Sequence, residues 1–356
     1  MALSSELAST SFQGYRAEHP SVPTELPILR LYLLLCLYRI LNVLAIRTQF
    51  DPDEYWQTLE PAYCIAFSSP DENHVAHNCV HTWEWTRRWD TGVAEAGRNG
   101  IMGAFQAFWL RALHGPVRSY LPVLPTYGLY SMARWAGLDT TFVVAQGPLI
   151  LNAVLVAAPT DVAVVCIAGW LSRSCGKCLG GGCWGMSSVQ VWALASTVTS
   201  WFHGYALVRT YSNSMETMLL AVGLALLGPE LFQANDNLWK GQIHERTVTS
   251  IRLRAALAFV LGGMSVSIRF TSLTAWVPIG VMLCLSKRNV YDMAYHLFGL
   301  CAFFGFIGIL LGCLVDRLIY GFWAVPFLAS FHFNVILGKD AFLCYSSLIS
   351  RGSTLL

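Results

Sequence analysis

The stretch PILRLYLLLCLYRILNVLAI, residues 27–46, decides the fold. Its twenty residues, rising about 1.5 Å each in a helix, cover about 30 Å, the thickness of a bilayer's hydrocarbon core. Two charges interrupt it. Arg30 stands near the start, where a long side chain reaches back to the interface. Arg39 is central, where a lipid-facing guanidinium would cost about 2.5–3.5 kcal/mol. It is therefore expected to face another helix or a wet cavity.

The rest of the chain carries the same signature. Of its 356 residues 55% are hydrophobic and only 12% charged, against roughly 25% charged in soluble domains. That leaves too little polar surface for a shell facing water. Apolar segments recur at roughly 119–136, 141–158, 161–171, 186–208, 212–232, 255–269, 271–286, 292–314 and 318–337. The expected fold class is an all-α polytopic membrane protein, with its membrane part at 27–337. The connectors at 173–177, 240–254 and 287–288 are basic, which places them in the cytosol. Residues 1–26 are polar and lack the basic-then-apolar layout of a cleavable signal peptide, so they read as a disordered cytosolic lead. A net charge of +2 gives no reason to expect a nucleic-acid partner. Cys175, Cys178 and Cys183 lack the fourth ligand and paired spacing of a zinc site, so no metal is expected.

With a cytosolic N-terminus, the first span delivers residues 47–118 to the opposite side. This stretch is rich in acids, histidines and aromatics, and is too long for a structureless loop. Short helices lying on the membrane surface are expected. Counting onward places four polar clusters on that same side: FDPDEYWQ (50–57), RTYSNSMET (209–217), IRFTS (268–272) and DRLIYG (316–321). Polar groups at membrane depth are costly and tend to line a functional cavity.

Each cluster supports two readings. Asp51, Asp53 and Glu54 stand close enough that one carboxyl would ionise late and serve as a general base. They could equally be the acidic first turn of a helix, with Tyr55 and Trp56 as interfacial anchors. Arg209 and Glu216, seven residues apart, fall on one helical face as a phosphate contact or as a structural ion pair. Arg269 lies inside a long apolar segment and calls for a phosphate or a carboxylate. Asp316-Arg317 reads as a helix-end charge pair, with Arg317 a further phosphate candidate.

Together with TWEW (82–85) and RSYL (118–121), these strings resemble, in order, the dolichol-phosphate-mannose-dependent α-mannosyltransferases of the endoplasmic reticulum. Within that family the likeness favours the branch that adds the third mannose, in α-1,2 linkage, to the glycosylphosphatidylinositol (GPI) anchor precursor. The resemblance implies a GT-C fold with a large first luminal loop, here 47–118, and a multi-pass protein with a luminal active site. It implies dolichyl phosphate mannose as donor, a mannosylated GPI precursor lipid as acceptor, and no cofactor. Carried over, it makes Asp53 the catalytic base, Glu54 its acidic neighbour, Asp51 a weaker candidate and Trp56 a wall of the sugar pocket. Arg209, Arg269 and Arg317 are physical candidates for the donor phosphate. Residues 86–117 read as an insertion, and IRFTS lacks the proline the family carries after the arginine. The likeness stops at Asn334, so the tail 338–356 is divergent and the chain reads as a truncated product. A lipid-linked N-glycan precursor mannosyltransferase, a polytopic transporter or scramblase, and an inactive truncated form are the alternatives.

Overall fold

A computed structural model describes residues 28–46, 52–67, 82–85, 100–174, 186–232, 245–287 and 289–337. Among the described residues the secondary structure is helical, with no strand. The expected lead 1–26 and tail 338–356 lie outside them, as do Asp51 and the cysteines 175, 178 and 183.

α1 spans Ile28–Ala45. Its leucines at 29, 33, 37, 41 and 44 share one outward face, and each is about half exposed or more. In water such a stripe would be penalised by about 25 cal/mol per Å². In lipid it is at home, and among the described residues five helices are long and apolar enough to cross a membrane. The polytopic fold class follows.

In the loop after α1, α2 occupies residues 52–67 and a 3-10 turn covers Trp83–Trp85. α3 spans Gly100–His114, within the segment read as an insertion. α4, Leu124–Ala136, ends where Gly137 adopts φ 65°, a left-handed cap that suits glycine. α5 covers residues 141–174 and begins with Thr140 accepting a bond from the Val143 amide at 3.4 Å.

Sequence reading divides this region at Pro159, but the helix runs through it. The π-helical turn Ala153–Ala157 lies just ahead, and the Ala158 N–H bonds back to the Ala153 carbonyl. The wider turn absorbs the bond and the space that proline denies an α-helix.

α6 is Ser188–Thr199, opened by a capping box between Ser187 and Gln190. α7 is Ser212–Phe232 and α8 is Glu245–Ile268. The 3-10 turn Phe270–Ser272 leads into α9, Leu273–Leu285. α10, Val290–Tyr320, is a single helix, where sequence reading ends the span at 314. It stops at Gly321, with φ 76°. α11, Pro326–Ile336, follows.

The core lies among α7, α8, α9 and α10. Trp276 packs there with Leu227, Ala255, Ala258, Phe259, Leu283 and Leu300, and its indole N–H donates to Ser265 Oγ at 3.0 Å. α8 and α10 cross at glycines. A Cβ on Gly308 would strike the Val260 carbonyl and approach Gly263 Cα to 2.9 Å. Helices in lipid gain little from the hydrophobic effect and associate by such close contact. Gly308→Leu is expected to cost about 1–3 kcal/mol, read as a lower unfolding midpoint in detergent.

A second cluster joins α1 to α5 and α6 through Leu31, Leu35, Cys36, Ala158 and Val165. Beside it, Arg39 and Asp161 are both 0% exposed, with Arg39 Nε 2.7 Å from Asp161 Oδ2. The expectation that Arg39 faces another helix is met.

Candidate active site

Three strands of polar contacts gather the motif residues. α2 begins at Pro52, whose fixed φ and missing N–H suit the first helical position. Asp53 and Glu54 complete its first turn, where the helix dipole favours acids. The two then part. Glu54 is 4% exposed. Its Oε2 accepts from Arg209 Nη1 at 2.5 Å, and its Oε1 accepts from both the backbone N–H and the hydroxyl of Thr210 at 3.1 Å. Asp53 is exposed.

Further along α2, Thr58 donates to the Thr210 carbonyl at 2.6 Å, and Gln57 accepts from Ser212 Oγ at 3.5 Å. On its other side the 207–210 turn is held by Asn152 of α5, whose Nδ2 donates to the carbonyls of Leu207 (2.9 Å) and Arg209 (2.6 Å). Burial works against the charge on Arg209, but the adjacent Glu54 carboxylate outweighs it and holds the guanidinium above its ordinary pKa. Tyr55 donates to Glu60 Oε2 at 2.7 Å, which raises its phenol pKa. Its ring meets Trp56 edge-on at 4.9 Å. Cys64, on the same helix, is disulfide-bonded.

The second contact set joins α7 to the turn before α9. Arg269 Nε lies 3.7 Å from Glu216 Oε2, and its Nη1 donates to Asn213 Oδ1. Glu216 Oε1 accepts from Ser272 Oγ at 2.5 Å and from Thr271 Oγ1 at 3.4 Å. Arg209 and Glu216 do not share a helical face. α7 starts at Ser212, so Arg209 sits in the turn before it, and the two residues take different partners. Arg269 keeps 35% of its side chain exposed. Arg317 is partly exposed, and no ion pair joins it to the other candidates among the described residues.

The third set ties the bundle to the loop. Asp316, expected as a helix-end charge, is 0% exposed. Its Oδ1 accepts from the Tyr120 N–H at 2.6 Å and from Ser119 Oγ at 3.1 Å. Arg118 pairs with Glu84 at 2.8 Å, and Tyr320 donates to the Arg118 carbonyl at 2.9 Å. Trp85 Nε1 donates to the Trp56 carbonyl at 3.1 Å. Bonds thus run from the end of α10 through RSYL and TWEW to α2. Asp316→Ala, which removes the one oxygen that both donors share and leaves the buried Tyr120 N–H and Ser119 hydroxyl without it, is expected to cost about 2 kcal/mol. Thermal unfolding in detergent checks this.

A crevice lined by Pro122, Pro125, Asn152, Leu155, Thr210 and Tyr211 opens beside the Glu54–Arg209 pair. Among the described residues no group of three or more His, Cys, Asp or Glu could hold a metal ion. Chemically, the site offers an exposed carboxylate at Asp53, next to a buried and neutralised ion pair, and a part-exposed cation at Arg269. The sequence reading missed Glu84, Arg118, Asn152 and Thr210 as organising residues. The signal for the first two was present in the motifs TWEW and RSYL.

Comparison with known proteins adds to this geometry. Residues 113–342 match the sequence model of the Alg9-like mannosyltransferase family. A mannosyltransferase of Arabidopsis thaliana is 25% identical over 86% of this chain and 44% of its own length. GPI alpha-1,2-mannosyltransferase 3 of Mus musculus is 26% identical over 85% of this chain and 43% of its own. GPI mannosyltransferase 3 of Yarrowia lipolytica is 28% identical over 84% and 45%, respectively. The chain spans less than half the length of these relatives. No solved structure is a significant match.

Proposed function

The chain belongs to the Alg9-like mannosyltransferase family, and from that premise we propose that it transfers mannose from dolichyl phosphate mannose to the GPI-anchor precursor. The mannose added is the third, in α-1,2 linkage, at the luminal face of the endoplasmic reticulum membrane. The observation that carries this reading is the division of labour in the first turn of α2. Glu54 is bound to Arg209 and Thr210, while Asp53 beside it is exposed. A base must reach its substrate, and a carboxylate locked by three hydrogen bonds is a scaffold instead.

The 2-hydroxyl of the acceptor mannose attacks the anomeric carbon of the donor, and its proton passes to Asp53. The bond to the phosphate oxygen breaks, leaving dolichyl phosphate, and the β-linked donor gives an α-linked product by one inversion. A cation near the leaving phosphate stabilises its growing charge. Arg269, part-exposed and paired with its carboxylate at the long distance of 3.7 Å, suits that role better than Arg209, which Glu54 holds in the interior at 2.5 Å. Trp56 and Tyr55 lie beside Asp53 and would border the sugar. The disulfide at Cys64 supports the luminal side for α2, because such bonds persist in oxidising compartments.

The donor is tested in microsomes expressing the chain, given either labelled dolichyl phosphate mannose or labelled GDP-mannose with dolichyl phosphate mannose synthesis blocked. Label entering the GPI precursor from the first alone is the expected result. Equal transfer from GDP-mannose would contradict it.

A further inference from the structure

We propose that Asn213 is a positioning residue that aims the Arg269 guanidinium at the donor's leaving phosphate, an inference that rests on the phosphate role given to Arg269 above. Arg269 follows α8 in extended backbone, φ −147° and ψ 129°, and its long side chain needs outside contacts to hold one direction. Both contacts come from α7. Nη1 donates to Asn213 Oδ1, and Nε lies 3.7 Å from Glu216 Oε2. Because a guanidinium only donates, the atom of Asn213 that faces it is the oxygen. Asn213 and Glu216, three residues apart, share one face at the start of α7. Among the described residues Nη2 has no bonded acceptor, and the side chain is part-exposed. Two of the three nitrogens are held, and the third is open to a ligand.

The chemistry of the two holders explains why an amide stands at 213. Phosphate is recognised by charge as well as by hydrogen bonds, so a group that orients the arginine should not neutralise it. The Asn213 side chain carries no charge. Glu216 does, but at 3.7 Å, and its other oxygen accepts from Ser272 Oγ at 2.5 Å and Thr271 Oγ1 at 3.4 Å. Arg209 shows the opposite arrangement, bonded directly to the Glu54 carboxylate in the interior.

Asn213 also stands where the two halves of the site meet. The preceding residue, Ser212, donates to Gln57 Oε1 at 3.5 Å, on the helix that carries Asp53. Adjacent side chains at the start of α7 thus reach the helix of the candidate base and the candidate phosphate cation. Asn213 and Asp53 are both exposed, so a substrate has access to this turn. The donor phosphate gains charge as its bond to mannose breaks. A cation already fixed in direction stabilises that charge without reorganising.

The test measures dolichyl phosphate binding, as a rise in the unfolding midpoint of the purified chain in detergent, and mannose transfer at varied donor and acceptor. Asn213→Ala is expected to weaken dolichyl phosphate binding and raise the donor KM, each about tenfold, with the acceptor KM unchanged. Added to Arg269→Gln it should cost nothing further, because it acts through that side chain. Asn213→Asp keeps the oxygen but sets a carboxylate against the guanidinium. It should hold or raise the ligand-free midpoint while weakening binding and transfer, a combination that a purely structural role does not give. Three outcomes would overturn the role of Asn213 alone. One is undiminished binding and an unchanged donor KM in Asn213→Ala where Arg269→Gln loses both. Another is losses that multiply in the double variant. The third is wild-type binding and transfer by Asn213→Asp. Wild-type binding and transfer by Arg269→Gln, or no binding of dolichyl phosphate by the wild type, would instead overturn the phosphate role of Arg269 and this inference with it.

Discussion

Asp53→Asn is expected to lower mannose transfer by about 10²- to 10⁴-fold, the range that a positioned general base contributes. The substitution keeps size and shape and removes only the proton-accepting charge. Because Asp53 is exposed while Glu54 holds α2 to Arg209 and Thr210, the variant should still express and fold, which its unfolding transition in detergent checks. That pairing of lost rate with intact fold separates a catalytic group from a structural one. The converse pattern is expected at Glu54, where Glu54→Gln should weaken the attachment of α2 to the 207–210 turn. A rate loss at Asp53 that tracked a loss of folded protein would remove the catalytic assignment.

The largest expected effect on stability lies away from the site. Asp161→Asn leaves Arg39 charged, fully buried and without its carboxylate. Breaking a buried pair by removing one partner costs about 3–5 kcal/mol, because the desolvated charge that remains has nothing to balance it. Replacing both partners by apolar residues, as in Arg39→Met with Asp161→Leu, should recover most of that loss. Unfolding in detergent of the two single variants and the double one measures the coupling. A single-variant cost below about 1 kcal/mol, the level of an exposed pair, would show that Arg39 is solvated in the membrane.

Much of this was legible in the sequence. The apolar runs gave the fold class, and the isolated charge at Arg39 demanded a partner. Asp161 could have been named as that partner, since it is the sole charged residue of the run 141–171. What hid it was Pro159, which made 141–158 and 161–171 look like separate segments and put Asp161 at an apparent end. The π-helical turn before the proline is a backbone accommodation that no residue type announces.

At the site, the motif strings located the residues, but spacing misdirected their pairing. A seven-residue interval places Arg209 and Glu216 on one face only if the helix covers both, and α7 begins at Ser212. The actual partners, Glu54 and Arg269, are 155 and 53 residues away in the chain. Such pairings depend on how helices assemble, which local pattern does not record. Asp316 illustrates the same limit. Beside Arg317 it reads as half of a charge pair, yet it is buried and holds Ser119 and Tyr120.

The most direct measurement is restoration of GPI-anchored proteins at the surface of cells lacking their own third GPI mannosyltransferase, with this chain and its Asp53→Asn variant expressed at equal levels in the endoplasmic reticulum. Recovery of surface signal with the wild-type chain and none with Asp53→Asn is the expected result. No recovery with a folded, correctly located wild-type chain, or equal recovery with the variant, would contradict it.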